Sequence, residues 1–215
     1  MTAPVGAVES TVAMVALSRS IFGSELRFDR MNVLAVIGSP RTNGNTDILV
    51  SKIAQGACAA GAEVDTVHLG ALAVRECDGC HACWRGRPCS KNDDMQQLYP
   101  KIIAGDIVIF GTPVYWYGPT ALMKAFIDRF VYFNCPENRS RIRGKKAIVA
   151  LVLEEEEQAT WQPVMDFFDK SLAYLEMTLA GTIIVPGVGK AGAILRKPGR
   201  LDEAYRLGSA VASPS

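Results

Sequence analysis

The amino-acid sequence predicts an α/β fold in which one five-stranded parallel sheet is doubly wound, with helices packed on both faces. Two observations lead to this fold class. From Met31 onward, segments typical of strands alternate with segments typical of helices, as they do in sheets built from strand–helix–strand units. The first, third and fourth strand segments are nearly continuous apolar runs, which is typical of parallel strands buried on both faces.

The individual elements follow from their residue patterns. Five runs have the strand pattern, and they lie at residues 32–37, 63–68, 106–111, 146–152 and 181–185. Five stretches have the helical pattern, and they lie near residues 45–60, 93–104, 119–132, 159–177 and 199–211. The fourth helix is the clearest, because its apolar residues recur at three- and four-residue steps: Trp161, Val164, Met165, Phe168, Leu172 and Leu175. These side chains are expected in the core.

Residues 1–30 do not share this alternation, since their Ala, Ser and Val residues are scattered without a clear period. We predict that they form an N-terminal extension and that residues 31–215 form the folded domain. The extension has two interpretations, a mobile tail or an oligomerisation arm that packs on a partner subunit.

Composition narrows the classes of function. The 215 residues include 23 Lys and Arg against 22 Asp and Glu, for a net charge of +1. Because nucleic-acid-binding domains usually carry a basic excess, we expect no nucleic-acid partner. No apolar run approaches the roughly 20 residues that span a bilayer, so we expect no membrane segment and a cytoplasmic location. The acidic run Glu154–Glu157 is expected to be a solvated loop or a helix start.

The loop after the first strand carries groups that bind anions. It reads Gly38-Ser-Pro-Arg-Thr-Asn-Gly-Asn-Thr46 and leads into the first helix. The first N–H groups of a helix lack partners and lie at the positive end of its dipole, and Arg41 can pair with phosphate oxygens through two N–H groups. No Gly-Lys-Ser/Thr closes the loop, so it is not a Walker loop. A phosphate monoester, as on FMN, fits better, and the alternative is a polar capping turn.

A second ligand loop is expected after the third strand, across the switch point of the sheet. It reads Gly111-Thr-Pro-Val-Tyr-Trp-Tyr-Gly-Pro119, with three consecutive aromatic residues. Aromatic faces and turn amides can hold a flat ring system, and the alternative is an ordinary buried aromatic turn. Gly187–Gly192 fits the pattern G-x-G-x-x-G, but Pro198 and Gly199 follow it closely. We therefore interpret it as a glycine-rich loop and not as a dinucleotide site.

Four of the six cysteines lie close together after the second strand. They are spaced C-x2-C-x2-C-x5-C, at Cys77, Cys80, Cys83 and Cys89. This compact spacing favours iron–sulfur ligation over structural zinc, which more often uses two distant C-x2-C knuckles. The alternatives are zinc or another metal, a disulfide, and unligated thiols. Cys58 and Cys135 are interpreted as buried or free thiols.

With these motifs the sequence resembles the NADPH-dependent FMN reductase superfamily and, within it, the iron–sulfur flavoproteins. The resemblance extends from about Met31 to Ile194. It rests on the phosphate loop, the compact cysteine motif, Asp93-Asp94-Met95 after that motif, and Thr112–Gly118 before Leu122–Arg129. It implies a flavodoxin-like fold with strand order 2-1-3-4-5, FMN and a [4Fe–4S] cluster as cofactors, and NAD(P)H as an electron donor.

The resemblance also assigns residues to the two cofactors. The FMN phosphate would be held by Ser39, Arg41, Asn45 and Thr46, with Asn43 and Gly44 shaping the loop. The isoalloxazine ring would be lined by Pro113, Val114, Tyr115, Trp116, Tyr117 and Gly118. The cluster would be bound by Cys77, Cys80, Cys83 and Cys89.

Together these features predict an FMN-dependent oxidoreductase that transfers electrons between flavin, cluster and a small-molecule or redox-protein partner. Because the cofactors supply the chemistry, no catalytic side chain is nominated. The resemblance implies a homodimer or homotetramer. Two alternatives stay open: a cluster-free NAD(P)H-dependent reductase of flavin, quinones or nitro compounds, and a zinc-stabilised interaction module without enzyme activity.

Overall fold

The computed structural model of the chain describes Met1 and residues 30–213. The N-terminal extension predicted at residues 1–30, as a tail or an oligomerisation arm, therefore lies outside the described residues except for its two end positions.

One parallel sheet forms the centre of the fold. Its strands are β1 (Asn32–Ile37), β2 (Glu63–His68), β3 (Ile107–Tyr115), β4 (Gly118–Pro119), β5 (Lys146–Val152) and β6 (Thr178–Val185). The five long strands lie in the order β2-β1-β3-β5-β6 and all pair in parallel. The short β4 lies off this path and pairs antiparallel with β3. The predicted fold class and strand order are thus confirmed.

Seven helices accompany the sheet among the described residues. They are α1 (Asn45–Ala59), α2 (Met95–Ala104), α3 (Ala121–Asp128), α4 (Val131–Asn134), α5 (Pro136–Arg139), α6 (Gln158–Tyr174) and α7 (Pro198–Ala212). None of the helices in the described part of the chain is long and apolar enough to cross a membrane.

The prediction of a single helix at residues 119–132 is wrong, because the chain forms two helices there. The N–H groups of Arg129 and Phe130 bond to carbonyl oxygens three residues back. This tighter pattern is typical of a helix end. The second helix, α4, ends before Cys135, whose backbone is extended, as is favoured for a residue that precedes proline.

The third strand is longer than the expected run 106–111. It continues pairing with β5 as far as Pro113, which lies opposite Val152. Val114 and Tyr115 then turn back and pair with β4. The last strand likewise begins at Thr178 instead of residue 181.

The sheet separates two apolar cores. Alternate residues of a strand point to opposite faces, so Leu34 of β1 belongs to the core beneath α2, α3 and α6, and its neighbour Val33 belongs to the core beneath α1 and α7. Among the residues expected in the core from the fourth helix, Val164, Met165, Phe168, Leu172 and Leu175 are buried. Trp161 is partly buried against the same core.

Two glycines allow α1 and α7 to pack backbone against backbone. A Cβ atom added at Gly56 would lie 1.9 Å from the carbonyl oxygen of Tyr205, and one added at Gly208 would lie 1.9 Å from that of Ile53. Any larger residue at either position would force the helices apart. This contact holds α1 firmly, and the N-terminus of α1 faces the pocket described next.

Candidate functional site

One pocket lies at the carboxyl ends of the parallel strands, where ligands bind in open α/β sheets. It has a volume of about 310 Å³. The loop after β1 contributes Ser39, Arg41, Gly44, Asn45 and Thr46. The β3–β4 hairpin contributes Pro113, Val114, Tyr115 and Trp116. The chain after β5 contributes Val152, Leu153, Glu154 and Glu155, and the loop after β6 contributes Val188, Gly189 and Ala191.

Internal hydrogen bonds define the shape of the loop after β1. The Ser39 hydroxyl donates to the carbonyl oxygen of Arg41 and accepts from its N–H, both at 3.1 Å. At the start of α1, Asp47 accepts a hydrogen bond from the N–H of Gly44 at 3.2 Å. The N–H groups of the following helical turn point out of the helix without partners of their own, and the helix dipole makes this end attractive to anions.

The Asn45 side chain bonds to the loop after β6. Its side-chain amide donates to the carbonyl oxygens of Val188 at 2.6 Å and Lys190 at 2.9 Å, and its side-chain oxygen accepts from the N–H of Ile194 at 3.3 Å. The side chain thus ties the glycine-rich loop to α1. Only its backbone N–H remains at the helix start for an anion.

The aromatic hairpin is exposed and has a strained backbone. Trp116 and Tyr117 both have left-handed conformations, with φ of 50° and 60°. Asn and Gly are preferred at such positions, and a larger residue there costs about 1–2 kcal/mol. Trp116 is 95% exposed and Tyr117 is 59% exposed, so the alternative of a buried aromatic turn is wrong. Strain that persists in this way clusters at functional sites.

The structure assembles most, but not all, of the residues expected around a flavin. Nine of them line the pocket, namely Ser39, Arg41, Gly44, Asn45, Thr46, Pro113, Val114, Tyr115 and Trp116. Asn43, Tyr117 and Gly118 do not line it. Asn43 has a left-handed conformation in the loop, with φ of 56°. Tyr117 and Gly118 complete the hairpin turn.

An acidic wall of the pocket was missed by the sequence analysis. Glu154 and Glu155 are exposed, as expected for a solvated run, but they also line the pocket. The Glu154 carboxylate lies against the glycine-rich loop, because a Cβ atom added at Gly189 would be 2.6 Å from its Oε2. The signal was present in the sequence, since both segments follow strands whose carboxyl ends meet at this sheet edge.

The four clustered cysteines share a second, much smaller pocket. Cys77, Cys80, Cys83 and Cys89 all line it, together with His81, Tyr99 and Arg129. Its cavity of about 20 Å³ has room for about one water molecule. None of the four forms a disulfide. Among the described residues, no three His, Cys, Asp or Glu side chains are grouped so as to hold a metal ion.

The donor set nevertheless fits an iron–sulfur cluster in its chemistry and location. Four thiols from one segment face one pocket, and thiolates are the usual ligands of such clusters. The segment contains little regular structure apart from a single 3-10 turn at Cys83–Arg85. Burial, with Cys135 as the next cause, raises the pKa of the Cys83 thiol. Metal binding must therefore displace a proton from this group.

A buried ion pair supports the segment Cys77–Cys89, which we call the cysteine segment. Arg129, which is 1% exposed, donates to the Asp93 carboxylate at 2.6 Å, and the Asp93 side chain is 2% exposed. Burial alone would raise the pKa of Asp93, but the hydrogen bonds from Arg129 and from the N–H of Arg75 hold that pKa below its ordinary value. Asp93 is therefore charged at neutral pH and anchors the chain on the far side of the cysteines.

Comparison with known proteins decides the family. A family model described as NADPH-dependent FMN reductase matches residues 31–178. The chain belongs to the NADPH-dependent FMN reductase family. An iron–sulfur flavoprotein of Archaeoglobus fulgidus is 31% identical over 188 residues, which are 85% of this chain and 79% of that protein. A Bacillus subtilis protein named as an NAD(P)H-dependent FMN-containing oxidoreductase is 28% identical over 82% of this chain and 96% of its own length.

A solved structure confirms the fold of this family. An NAD(P)H:quinone oxidoreductase from Methanothermobacter marburgensis superposes with a TM-score of 0.69 over 86% of this chain and 98% of its own, at 18% identity. As a member of the NADPH-dependent FMN reductase family, the chain is a flavin-dependent oxidoreductase with FMN as its cofactor. The alternative of a zinc-stabilised module without enzyme activity is therefore wrong.

Proposed function

We propose that this FMN reductase family member carries a [4Fe–4S] cluster and transfers electrons between NAD(P)H, FMN, the cluster and a small-molecule or redox-protein partner. The observation that supports the cluster is the presence of all four clustered cysteines around one pocket. FMN exchanges electron pairs or hydride, and the cluster exchanges single electrons.

The loop after β1 binds the phosphate of FMN in this proposal. Ser39 is already fixed by its two hydrogen bonds with Arg41, so its hydroxyl is oriented before the ligand arrives. The Arg41 guanidinium is exposed and borders the pocket, where it can neutralise phosphate oxygens through a charged pair. Thr46 is 2% exposed at the start of α1 and adds a hydroxyl beside the N–H groups of the helix.

The β3–β4 hairpin forms the wall for the isoalloxazine ring. Pro113 and Val114 supply an apolar floor, while Tyr115 and Trp116 extend beyond the sheet edge. Aromatic faces stack on flat rings and exclude water from them. Because Trp116 is almost fully exposed, its indole has room to close over a bound ring or to meet a second subunit. A homodimer or homotetramer and a cytoplasmic location are further parts of this proposal.

One anoxic preparation tests the proposal. We expect about one FMN per chain, together with iron and acid-labile sulfide in equal amounts and a broad absorbance near 400 nm beyond that of flavin. NADPH is expected to bleach the flavin absorbance. A preparation with FMN but without iron and sulfide would contradict the cluster and leave the family assignment intact.

One observation favours the second candidate, a cluster-free NAD(P)H-dependent reductase. The cysteine sulfurs are not grouped around a common centre in the described residues. The two candidates differ in a variant with all four cysteines replaced by serine. A cluster-free enzyme is expected to keep its full turnover with NADPH and a quinone, whereas the proposed enzyme is expected to lose transfer to one-electron acceptors and to keep flavin reduction.

A further inference from the structure

Arg129 is the largest fully buried side chain among the described residues. It follows α3, far along the chain from the cysteine segment, yet it lines the cysteine pocket. Burying a guanidinium costs several kcal/mol unless its charge is paired and its N–H groups have acceptors. The positions of its hydrogen-bond acceptors therefore indicate the role of Arg129.

Three acceptors of Arg129 belong to the cysteine segment or to the chain on either side of it. Nη1 donates to the carbonyl oxygen of Arg75 at 2.9 Å and to the Asp93 carboxylate at 2.6 Å. Nη2 donates to the Sγ atom of Cys89 at 3.2 Å. One guanidinium thus bonds to the chain before the cysteine segment, to the chain after it and to one of its sulfur atoms.

The hydrogen bonds of Asp93 hold its carboxylate in a position that does not compete with Cys89 for the Nη2 atom of Arg129. Its Oδ2 also accepts from the N–H of Arg75 at 3.0 Å, and its Oδ1 accepts from that of Met95 at 3.2 Å. The carboxylate therefore occupies one side of the guanidinium and offsets its charge. The other side is directed at Cys89.

We propose that Arg129 is a positioning residue for the cluster, which orients Cys89 and raises the cluster's reduction potential by donating a hydrogen bond to its sulfur. This inference rests on the cluster of the proposed function. Hydrogen bonds to the sulfur ligands and the net charge nearby are among the factors that set such potentials. A donor to sulfur stabilises the more negative, reduced state.

The charge balance predicts shifts of opposite sign in the cluster's reduction potential for two variants. Arg129→Gln leaves the buried Asp93 carboxylate uncompensated beside the cluster, so the reduction potential is expected to fall. Asp93→Asn leaves the guanidinium uncompensated, so the potential is expected to rise. A merely structural role for the pair would instead make both variants lose iron in the same way, because each breaks the same contact.

The experiment is an EPR-monitored redox titration of the reconstituted full chain, with iron and sulfide counted in each sample. Arg85→Gln is the matched control. Arg85 lies in the cysteine segment, but it donates to the carbonyl oxygen of Cys80 at 2.7 Å and is exposed. We expect a much smaller shift in this control than in Arg129→Gln.

The double variant Arg129→Gln/Asp93→Asn decides the question if the single variants do not fold. It carries no uncompensated buried charge and has lost only the charged donor to sulfur. We expect its potential to lie below that of the wild-type protein and above that of Arg129→Gln. An unchanged potential in the double variant, with iron and sulfide retained, overturns the role of Arg129. Absence of iron and sulfide from the wild-type protein overturns the cluster itself.

Discussion

Thr120 donates a hydrogen bond from its side-chain hydroxyl to the carbonyl oxygen of Gly38, at 2.5 Å. The same hydroxyl accepts from the N–H of Met123 and caps α3, and the Thr120 N–H donates to the hydroxyl of Thr112. Thr120 is 2% exposed. One buried threonine therefore joins the start of the phosphate loop to the end of the aromatic hairpin, so that the two ligand loops hold a fixed separation.

Replacing Thr120 by valine is expected to destabilise the protein by about 2–3 kcal/mol. The helix loses its cap, which contributes about 1 kcal/mol, and the buried carbonyl of Gly38 loses its donor, at a further cost of about 1–2 kcal/mol. Urea denaturation with a constant m-value measures this loss. Thr120→Ser keeps the hydroxyl and should remain within about 1 kcal/mol of the wild type. A loss in Thr120→Ser with none in Thr120→Val would show that the methyl group, and not the hydroxyl, matters.

Gly208→Ala is expected to be among the most damaging single-methyl changes in the chain. The added Cβ would lie 1.9 Å from a backbone carbonyl of α1, which no side-chain rotation can relieve. Overpacking of this kind typically costs about 1–3 kcal/mol. Gly199→Ala, in the same helix with nothing within 4 Å of the added atom, is the control. Gly199→Ala should be neutral or slightly stabilising. The melting temperatures of the two variants, measured by thermal unfolding, should therefore differ.

The proposed phosphate-binding role of Arg41 predicts a difference between FMN and riboflavin. Arg41→Ala is expected to weaken FMN binding about tenfold, the factor that corresponds to losing about 1.4 kcal/mol of a charged contact. Riboflavin has the same ring and no phosphate, so its affinity should not change. Flavin fluorescence titration of both ligands measures the two affinities. A parallel loss for riboflavin would mean that Arg41 supports the pocket as a whole.

Glu176, Arg139 and Arg143 form an ion cluster on the opposite side from the proposed flavin pocket. This cluster should make the stability of the fold depend on pH. Hydrogen bonds from Arg139 and Arg143 hold the pKa of Glu176 below its ordinary value. A lowered pKa in the folded state means that the contribution is present above the ordinary carboxyl pKa and is lost as the pH falls through the folded value. Glu176→Gln should therefore lower the melting temperature at pH 7, and the gap to the wild type should shrink near pH 3. Because Glu176 is exposed, 1 M salt should also shrink it.

The sequence predicted the parts of this molecule that depend on local pattern. Continuous apolar runs identified the buried strands, and the loop proposed to bind phosphate is visible in the sequence because its glycines, hydroxyls and helix start are contiguous. The contacts that it did not predict join distant residues. Arg129 and Cys89 are 40 residues apart, and Asn45 and Val188 are 143 apart. No periodicity encodes such pairs, since they depend on how separate loops meet at one sheet edge.

The break between α3 and α4 was missed for a different reason. Apolar residues continue through the break, because Phe126, Phe130 and Phe133 all pack into the same core. Hydrophobic spacing alone therefore predicts one uninterrupted helix. Neither glycine nor proline stands at Arg129 or Phe130 to mark the break, and Pro136 marks only the end of α4, where Cys135 is extended. The position of the break also places Arg129 outside α3, where its side chain reaches the cysteine pocket.

The two left-handed residues of the hairpin allow strain and binding to be separated. Trp116 lines the proposed flavin pocket and Tyr117 does not, although both have positive φ. Glycine adopts this conformation without steric cost, so Trp116→Gly and Tyr117→Gly should each leave stability unchanged or raise it by up to about 1 kcal/mol. Only Trp116→Gly removes an aromatic wall, and it should weaken both FMN and riboflavin binding. If Tyr117→Gly weakens flavin binding as much, the strained turn itself, and not the indole, shapes the ring site.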